Sequence, residues 1–417
     1  MSAATVSVCA LLLVIAVSCT SRINVGLLAI PIAWLVGLYA GRSADAVLAG
    51  FPSSLFITLT GVTVLFTLAE VNGTVGVVAR RLLLLARGRH ALVPPIIFLI
   101  ACAISTVGPG AIVSVALVAP VGMALSTRAG ISPFLTALMI ANGANAGNLS
   151  PLSAIGIIAN TRMAAAGLGG HEWRVWAANF IAHCIVGAIA YALLIRHAQA
   201  PSDTSQDRPE SLTRYQWLTL AAIVAWIVAV VSFKVSIGLA GFAAAAILIL
   251  AGVSDETGSI RRMPWAAIVM VCGVTLLVAV VEKAGGMEVF TAMLAKLARP
   301  STINGVIAFV TGLISTYSST SAVVLPTFLP TVPGLVQQVG GGNPLAVALS
   351  INVGASIVDV SPLSTLGALC VAAVPDAETA RDLFRKLMIW GFSMAIAGAL
   401  MCQLFANAFA GGNAGGN

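Results

Sequence analysis

Serine, threonine, asparagine and one aspartate gather at four places where the surrounding sequence is apolar. The chemistry they offer there is that of holding an ion away from water. The first place is Ala141-Asn-Gly-Ala-Asn-Ala-Gly-Asn-Leu-Ser-Pro-Leu-Ser153, and a near copy follows at Asn352-Val-Gly-Ala-Ser-Ile-Val-Asp-Val-Ser-Pro-Leu-Ser364. The other two are Ser105-Thr-Val-Gly-Pro-Gly110 and Ser315-Thr-Tyr-Ser-Ser-Thr-Ser321. Non-helical backbone at membrane depth survives only where protein buries it or where it lines a wet cavity. Two breaks in matching places of two halves are a pointer to a transporter's binding site.

Each break creates free helix ends. An N-terminal end presents unpaired N–H groups and about half a positive charge, which favours an anion; a C-terminal end presents carbonyls, which favour a cation. Gly108, Pro109 and Gly110 suit the first kind, because glycine lets amides approach a ligand and proline is accepted at a helix start. Ser105, Thr106, Asn142, Asn145, Asn148, Ser150, Ser318, Ser319, Thr320, Ser361 and Ser364 are the candidate substrate-binding residues. Asp359, Asn352, Asn148, Ser315 and Thr316 are the candidates for ion coupling. Asp359 is the one acidic residue inside a broken segment, and ionisable groups at such depth are functional hypotheses by default. It could carry a proton, bind Na⁺ or cap a broken half-helix. Taken singly, each Ser, Thr or Asn could simply bond a neighbouring helix or its own backbone.

These residues need elements to position them, and the composition says which. The chain has 417 residues, of which 59% are hydrophobic and 8% charged, with mean hydropathy +1.03. This reads as an all-α polytopic membrane protein. Net charge +7 comes from Lys and Arg scattered through short loops, not from a basic-aromatic patch, so nucleic acid is not an expected partner. The seven cysteines lie in apolar segments and form no CxxC, which argues against a disulfide framework or a zinc site. The N-terminal apolar stretch has no Lys or Arg before it, so a first transmembrane helix is expected instead of a cleaved signal peptide.

Segments able to span fall at about 5–21, 24–40, 53–70, 131–160, 174–195, 215–232, 235–251, 264–282, 343–373 and 383–406. Those at about 131–160 and 343–373 are broken. Two more stretches, about 92–125 and 302–335, are too long for one span and too short for two, and each has a polar middle. A re-entrant hairpin fits both. Amphipathic helices at 74–90 and 286–299 lead into the hairpins, and Glu70 and Glu282 sit where spans meet them.

The halves repeat. Gly61–Glu70 matches Gly273–Glu282 at an offset of 212, Ser105-Thr106 matches Ser315-Thr316 at 210, and Ser150–Ser153 matches Ser361–Ser364 at 211. Three motifs in order at a nearly constant offset indicate internal duplication. The expected domains are 1–197, a polar linker at 198–213, and 214–417. Each repeat then holds five transmembrane helices plus one re-entrant hairpin, with one of the five broken. Five crossings invert the second copy relative to the first. Placing the Arg80, Arg81, Arg87, Arg89 cluster inside puts fourteen Lys and Arg inside and seven outside. That bias predicts both termini outside.

The paired hairpins and breaks resemble the ion transporter superfamily, which includes divalent-anion:sodium symporters and MatC-type dicarboxylate carriers. Gly108-Pro-Gly-Ala111, Asn142-Gly-Ala-Asn-Ala-Gly-Asn-Leu-Ser-Pro151 and Ser318-Ser-Thr320 are most similar to the MatC-type branch. The resemblance implies hairpin tips that meet substrate carboxylate and sodium, an elevator motion against a dimeric scaffold (hence a homodimer), and a bacterial inner membrane. The Asn of the family's Ser-Asn-Thr tips is missing from both tips here.

The leading expectation is a secondary transporter of small carboxylates, malonate or C4-dicarboxylates, symported with Na⁺ or H⁺ and needing no cofactor. A Na⁺ site would then lie at the hairpin tips and broken helices. A cation/proton exchanger or an inorganic-oxyanion carrier would keep the fold, although an exchanger wants more buried carboxylates than Asp359. A passive channel suits hairpins that meet at mid-membrane less well. An intramembrane enzyme is disfavoured: there is no GxSxG or HExxH, and His90, His171, His183 and His197 form no cluster with paired carboxylates. His183, deep in a span, is expected to be a hydrogen-bonded packing residue.

Overall fold

A computed structural model describes residues 1–20, 23–83, 90–108, 110–195, 211–233, 235–263, 265–317, 319–374 and 376–411. Pro109, Ser318, Arg87, Arg89 and the linker as far as residue 210 lie outside these. Every regular element among the described residues is helical. Exposed Leu, Ile, Phe and Trp side chains cover the outer faces, for example Ile185, Ile189 and Leu193 of one helix and Ile396, Leu400 and Leu404 of another. An outer surface of this kind, with polar side chains buried instead, is that of an integral membrane protein.

The first half runs α1 (Ala3–Thr20), α2 (Val25–Tyr39), α3 (Ala44–Leu48), α4 (Ser53–Val71) and α5 (Thr74–Leu83). It continues with α6 (Val93–Thr106), α7 (Gly110–Arg128), α8 (Pro133–Asn148), α9 (Ala154–Ala165) and α10 (Glu172–Leu194). The second half opens with α11 (Arg214–Phe233), α12 (Ile237–Leu250), α13 (Glu256–Arg262), α14 (Trp265–Lys283), α15 (Gly286–Ala295) and α16 (Ile303–Tyr317). A π-helical segment, Thr320–Val324, leads into α17 (Leu325–Phe328), and a 3₁₀ turn, Leu329–Thr331, into α18 (Val332–Val339). The last elements are α19 (Pro344–Ile357), α20 (Thr365–Ala372) and α21 (Ala377–Phe409).

Local chemistry explains the boundaries and repeats at the offset seen in the sequence. Ser132 and Asn343 cap α8 and α19 by accepting backbone N–H bonds, and each is followed by a proline at the first helical position. Gly73 and Gly285 turn the chain into the amphipathic α5 and α15 with φ of 77° and 75°, a left-handed conformation that favours glycine. The bend between α14 and α15 is 94°. The short connectors α3 and α13, capped by Ser43 and Asp255, were not expected.

Two differences have clear causes. The return arm of the second hairpin is not one helix like α7, because Pro326, Pro330 and Pro333 each remove a donor where α7 has only Pro120. The last helix has 33 residues, about 50 Å, against about 30 Å of hydrocarbon. Its first turns stay polar, capped by Asp376 and carrying an exposed Asp382–Lys386 pair at 2.6 Å.

The packing exchanges elements between halves. Helix α2 packs against α14, and α12 packs against α4. Both crossings are made by glycines: a Cβ on Gly26 would lie 2.4 Å from Met270 Cα, and one on Gly238 would lie 2.5 Å from Thr58 Cα. Likewise a Cβ on Gly61 would lie 2.1 Å from the Gly238 carbonyl oxygen, and one on Gly273 2.3 Å from that of Gly26. Helices that touch backbone to backbone are held by dispersion and close approach, the device that works in lipid, where burial gives no hydrophobic gain. Around this frame, α6 and α7 pack on α8, α16 packs on α19 and α21, and α8 is backed by α10.

Candidate functional site

The two breaks fall where glycine, proline and polar residues accumulate. Helix α8 ends at Asn148 and α9 begins at Ala154; α19 ends at Ile357 and α20 begins at Thr365. Neither connection floats free. A Cβ on Gly156 would lie 1.9 Å from the Ser150 carbonyl oxygen, and one on Gly367 2.2 Å from that of Ser361, so each break is clamped under the helix that follows it.

Each hairpin tip is bonded to the break of its own half. In the first half, Ala154 N–H donates to the Gly108 carbonyl at 3.0 Å, and Ala111 N–H donates to Asn148 Oδ1 at 3.1 Å. The N-terminal turn of α7 is thereby fixed against the C-terminal end of α8. Asn148 Nδ2 donates to Asn145 Oδ1 at 3.5 Å, and Ser150 Oγ accepts from Leu152 N–H at 3.2 Å. Thr106 turns away and donates to the Cys102 carbonyl at 2.7 Å, while Ser105 is fully buried with no partner for its hydroxyl.

In the second half, Ser315 and Thr320 hydroxyls share a short hydrogen bond, and Thr320 also reaches the Ala355 carbonyl at 3.4 Å. Ser319 caps the π-helical segment by accepting from Ala322 N–H at 3.2 Å. Thr316 donates to the Gly312 carbonyl at 3.1 Å, within its own helix. Asp359 is half-buried in the break, and its carboxylate meets the hydroxyls of Ser364 and Thr320. Ser364 donates to the backbone carbonyls of Asp359 and Ser361, at 3.1 and 2.7 Å, and Ser361 Oγ accepts from Leu363 N–H at 3.3 Å. Ser361 and Ser364 therefore brace the turn that presents Asp359.

The two tip-and-break pairs abut: α9 packs on the π-helical segment and α17, α20 packs on α7, and α8 touches α19. Asn352 donates its amide to the Ala348 carbonyl at 2.9 Å and to Met163 Sδ of α9 at 3.5 Å, linking the halves. Asn142 makes the equivalent bond to the Leu138 carbonyl at 2.9 Å. Arg162, at the far end of α9, is directed to α14, where it donates to Thr275 Oγ1 at 2.8 Å.

Four polar groups outside the expected set join these. Helix α10 supplies Asn179, which donates to the Asn145 carbonyl at 2.6 Å, and His183, whose Nδ1 lies 2.9 Å from Asn142 Oδ1. Because Asn142 uses its amide nitrogen on Leu138, the oxygen faces the ring and His183 Nδ1 carries the hydrogen. His183 is thus a packing residue with a specific duty, holding Asn142 in place. The i, i+4 spacing of Asn179 and His183 on one span was the available signal. Ser153 and Ser356 are the other two, both buried with unpartnered hydroxyls. Ser153 is the copy of Ser364, and Ser356 shares a face of α19 with Asn352, so symmetry and period pointed to them.

Unpartnered buried atoms gather at both pairs. Around the first they include Asn145 Nδ2, Asn179 Oδ1, His183 Nε2 and the hydroxyls of Ser105 and Ser153; around the second they include Asn352 Oδ1 and the Ser356 hydroxyl. Buried polar atoms are normally satisfied, so clustered exceptions mark places where another species completes the bonding.

Residues 1–148 match the family model described as dicarboxylate carrier protein MatC N-terminus. A search of curated proteins found no match. Among solved structures, the YdaH transporter of Alcanivorax borkumensis matches with a TM-score of 0.60 and 16% identity, covering 91% of this chain and 96% of that one. Both are transport proteins, in keeping with a chain that is not an enzyme. The resemblance to MatC-type dicarboxylate carriers therefore holds over residues 1–148, and the chain as a whole has the fold of a membrane transporter.

Proposed function

We propose that the protein is a secondary active transporter of small carboxylates, malonate or a C4-dicarboxylate, moved together with Na⁺ or H⁺. The observation that carries this is the clustering of unpartnered buried polar atoms at both tip-and-break pairs, with Asp359 adding a carboxylate at the second. Amides and hydroxyls at the N-terminal turn of α7 suit a carboxylate, and oxygen ligands around Asp359 suit a hard cation or a proton. A cation bound beside the anion supplies the positive charge that the two breaks lack. The match of residues 1–148 to a dicarboxylate carrier family points to the same substrate class.

The fold is read as two inverted repeats, each with five spans and one re-entrant hairpin. The reciprocal α2–α14 and α12–α4 crossings support that reading, since a two-fold axis in the membrane plane exchanges one for the other. Hairpins bonded to their own breaks would move as one body past this glycine-locked frame, the elevator mechanism, in a protein that pairs into a homodimer.

Uptake of labelled malonate, succinate and citrate into proteoliposomes, under separate Na⁺ and pH gradients, tests the proposal. Gradient-driven accumulation of malonate or succinate is expected. Absence of gradient-dependent uptake of every carboxylate would overturn it. A second expectation concerns Asn148. Replacing it with Ala strips the Ala111 N–H of its buried acceptor, a loss of about 1–3 kcal/mol. The tip should loosen and KM for the carboxylate should rise about tenfold with the protein still monodisperse. An unchanged KM would remove Asn148 from the site.

A further inference from the structure

Helices α10, α19 and α21 enclose a groove of about 240 Å³ on the outer face of the protein. Ala178, Ile181 and Ile185 of α10 form one wall, Val353 of α19 the floor, and Phe405 and Phe409 of α21 the other wall. The exposed Ile189 and Leu193 of α10 and Leu400 and Leu404 of α21 continue its rims as a lipid-facing surface. Nothing polar in it could serve a carboxylate, and it is distinct from both hairpin tips.

One end of the groove is charged. Arg174 lies one turn before Ala178 on the same face of α10, and its Nη1 donates to the Ala410 carbonyl, one residue beyond Phe409, at 3.3 Å. Arg174 is otherwise exposed, and this bond ties α10 to the end of α21. Trp173 and Trp176, edge to face at 5.7 Å, flank it. Indole rings of this kind sit at the headgroup level of a bilayer, which puts Arg174 at the same level. From Arg174 to Ile185 the helix rises about 16 Å, close to half of the roughly 30 Å hydrocarbon core. The groove therefore runs from the headgroups to the middle of the bilayer, the depth of one leaflet.

We propose that this groove is a binding site for one anionic phospholipid, its phosphate on Arg174 and one acyl chain between α10 and α21. Arginine matches phosphate geometry with paired donors, and only one leaflet's depth of apolar wall lies beneath it. The lipid would stitch the two halves together, because α10 belongs to the first and α19 and α21 to the second.

Native mass spectrometry of the full-length protein, delipidated in detergent and titrated with phosphatidylglycerol and phosphatidylcholine of identical chains, tests this. The wild type should hold one phosphatidylglycerol about five- to tenfold more tightly than phosphatidylcholine. Arg174→Gln should lose that preference and Arg174→Lys should keep most of it. Ile181→Trp, at a half-exposed wall position that tolerates bulk, should lose the tight lipid of either kind. Equal affinity of the wild type for both lipids, or undiminished preference in Arg174→Gln, would overturn the proposal. So would a dimer mass that Ile181→Trp abolishes, which would assign the groove to a second copy of the chain.

Discussion

Asp359→Asn is expected to weaken the coupling of uptake to the driving cation while leaving the protein folded. The substitution preserves shape. The turn around it is held by backbone bonds, Ser364 to the Asp359 carbonyl and Asp359 N–H to the Ser356 carbonyl at 3.1 Å, which the amide leaves intact. What is lost is the carboxylate that meets the hydroxyls of Thr320 and Ser364. Contacts to a charged group contribute about 1.5–3 kcal/mol, so cation affinity should fall about 10- to 150-fold. If Na⁺ is the partner, the Na⁺ concentration for half-maximal uptake rises by that factor; if H⁺ is, the pH dependence flattens. Retention of both dependences in a folded mutant would reduce Asp359 to a brace of the broken helix.

The positions of the breaks were legible because membrane solvent makes polar sequence conspicuous. Asn142–Ser153 contains the end of α8 and stops one residue before α9, and Asn352–Ser364 contains the end of α19 and stops one residue before α20. The connectors α3 and α13 escaped notice since five to seven residues carry too little periodicity to be read. The partnership of each tip with the break in its own half could not be read either. It rests on contacts such as Ala111 to Asn148 that depend on how two helices cross. Asn179 and His183 were visible as polar residues in a span, but their partners on α8 were not, as spacing along one helix says nothing about its neighbour. The second hairpin is the opposite case. Its three prolines were plain in the sequence, yet where the helix would yield to a π turn depended on packing against α14 and α9.

The glycines of the α2–α14 and α4–α12 crossings should be the least replaceable residues outside the site. A Cβ on Gly61 or Gly273 would sit 2.1 or 2.3 Å from a backbone oxygen, and neither oxygen belongs to a flexible side chain that could move aside. The helices must separate, and forced overpacking of this kind costs about 1–3 kcal/mol. Gly61→Ala and Gly273→Ala should each lower the melting temperature of the purified protein, and by similar amounts, since the two crossings are related by the repeat. Gly76→Ala is the control: no atom lies within 4 Å of its Cβ position, and alanine is favoured over glycine in a helix by about 0.5–1 kcal/mol. Gly147→Ala should behave differently again. Its Cβ would press on the Cys102 carbonyl at 2.4 Å and on Thr106 at 2.6 Å, next to the first tip. Uptake per folded molecule should fall there, whereas at Gly61 and Gly273 it should fall only as the folded fraction does. Wild-type melting in Gly61→Ala would mean that the frame is not locked at these glycines, and a body moving past it would then need another rigid partner.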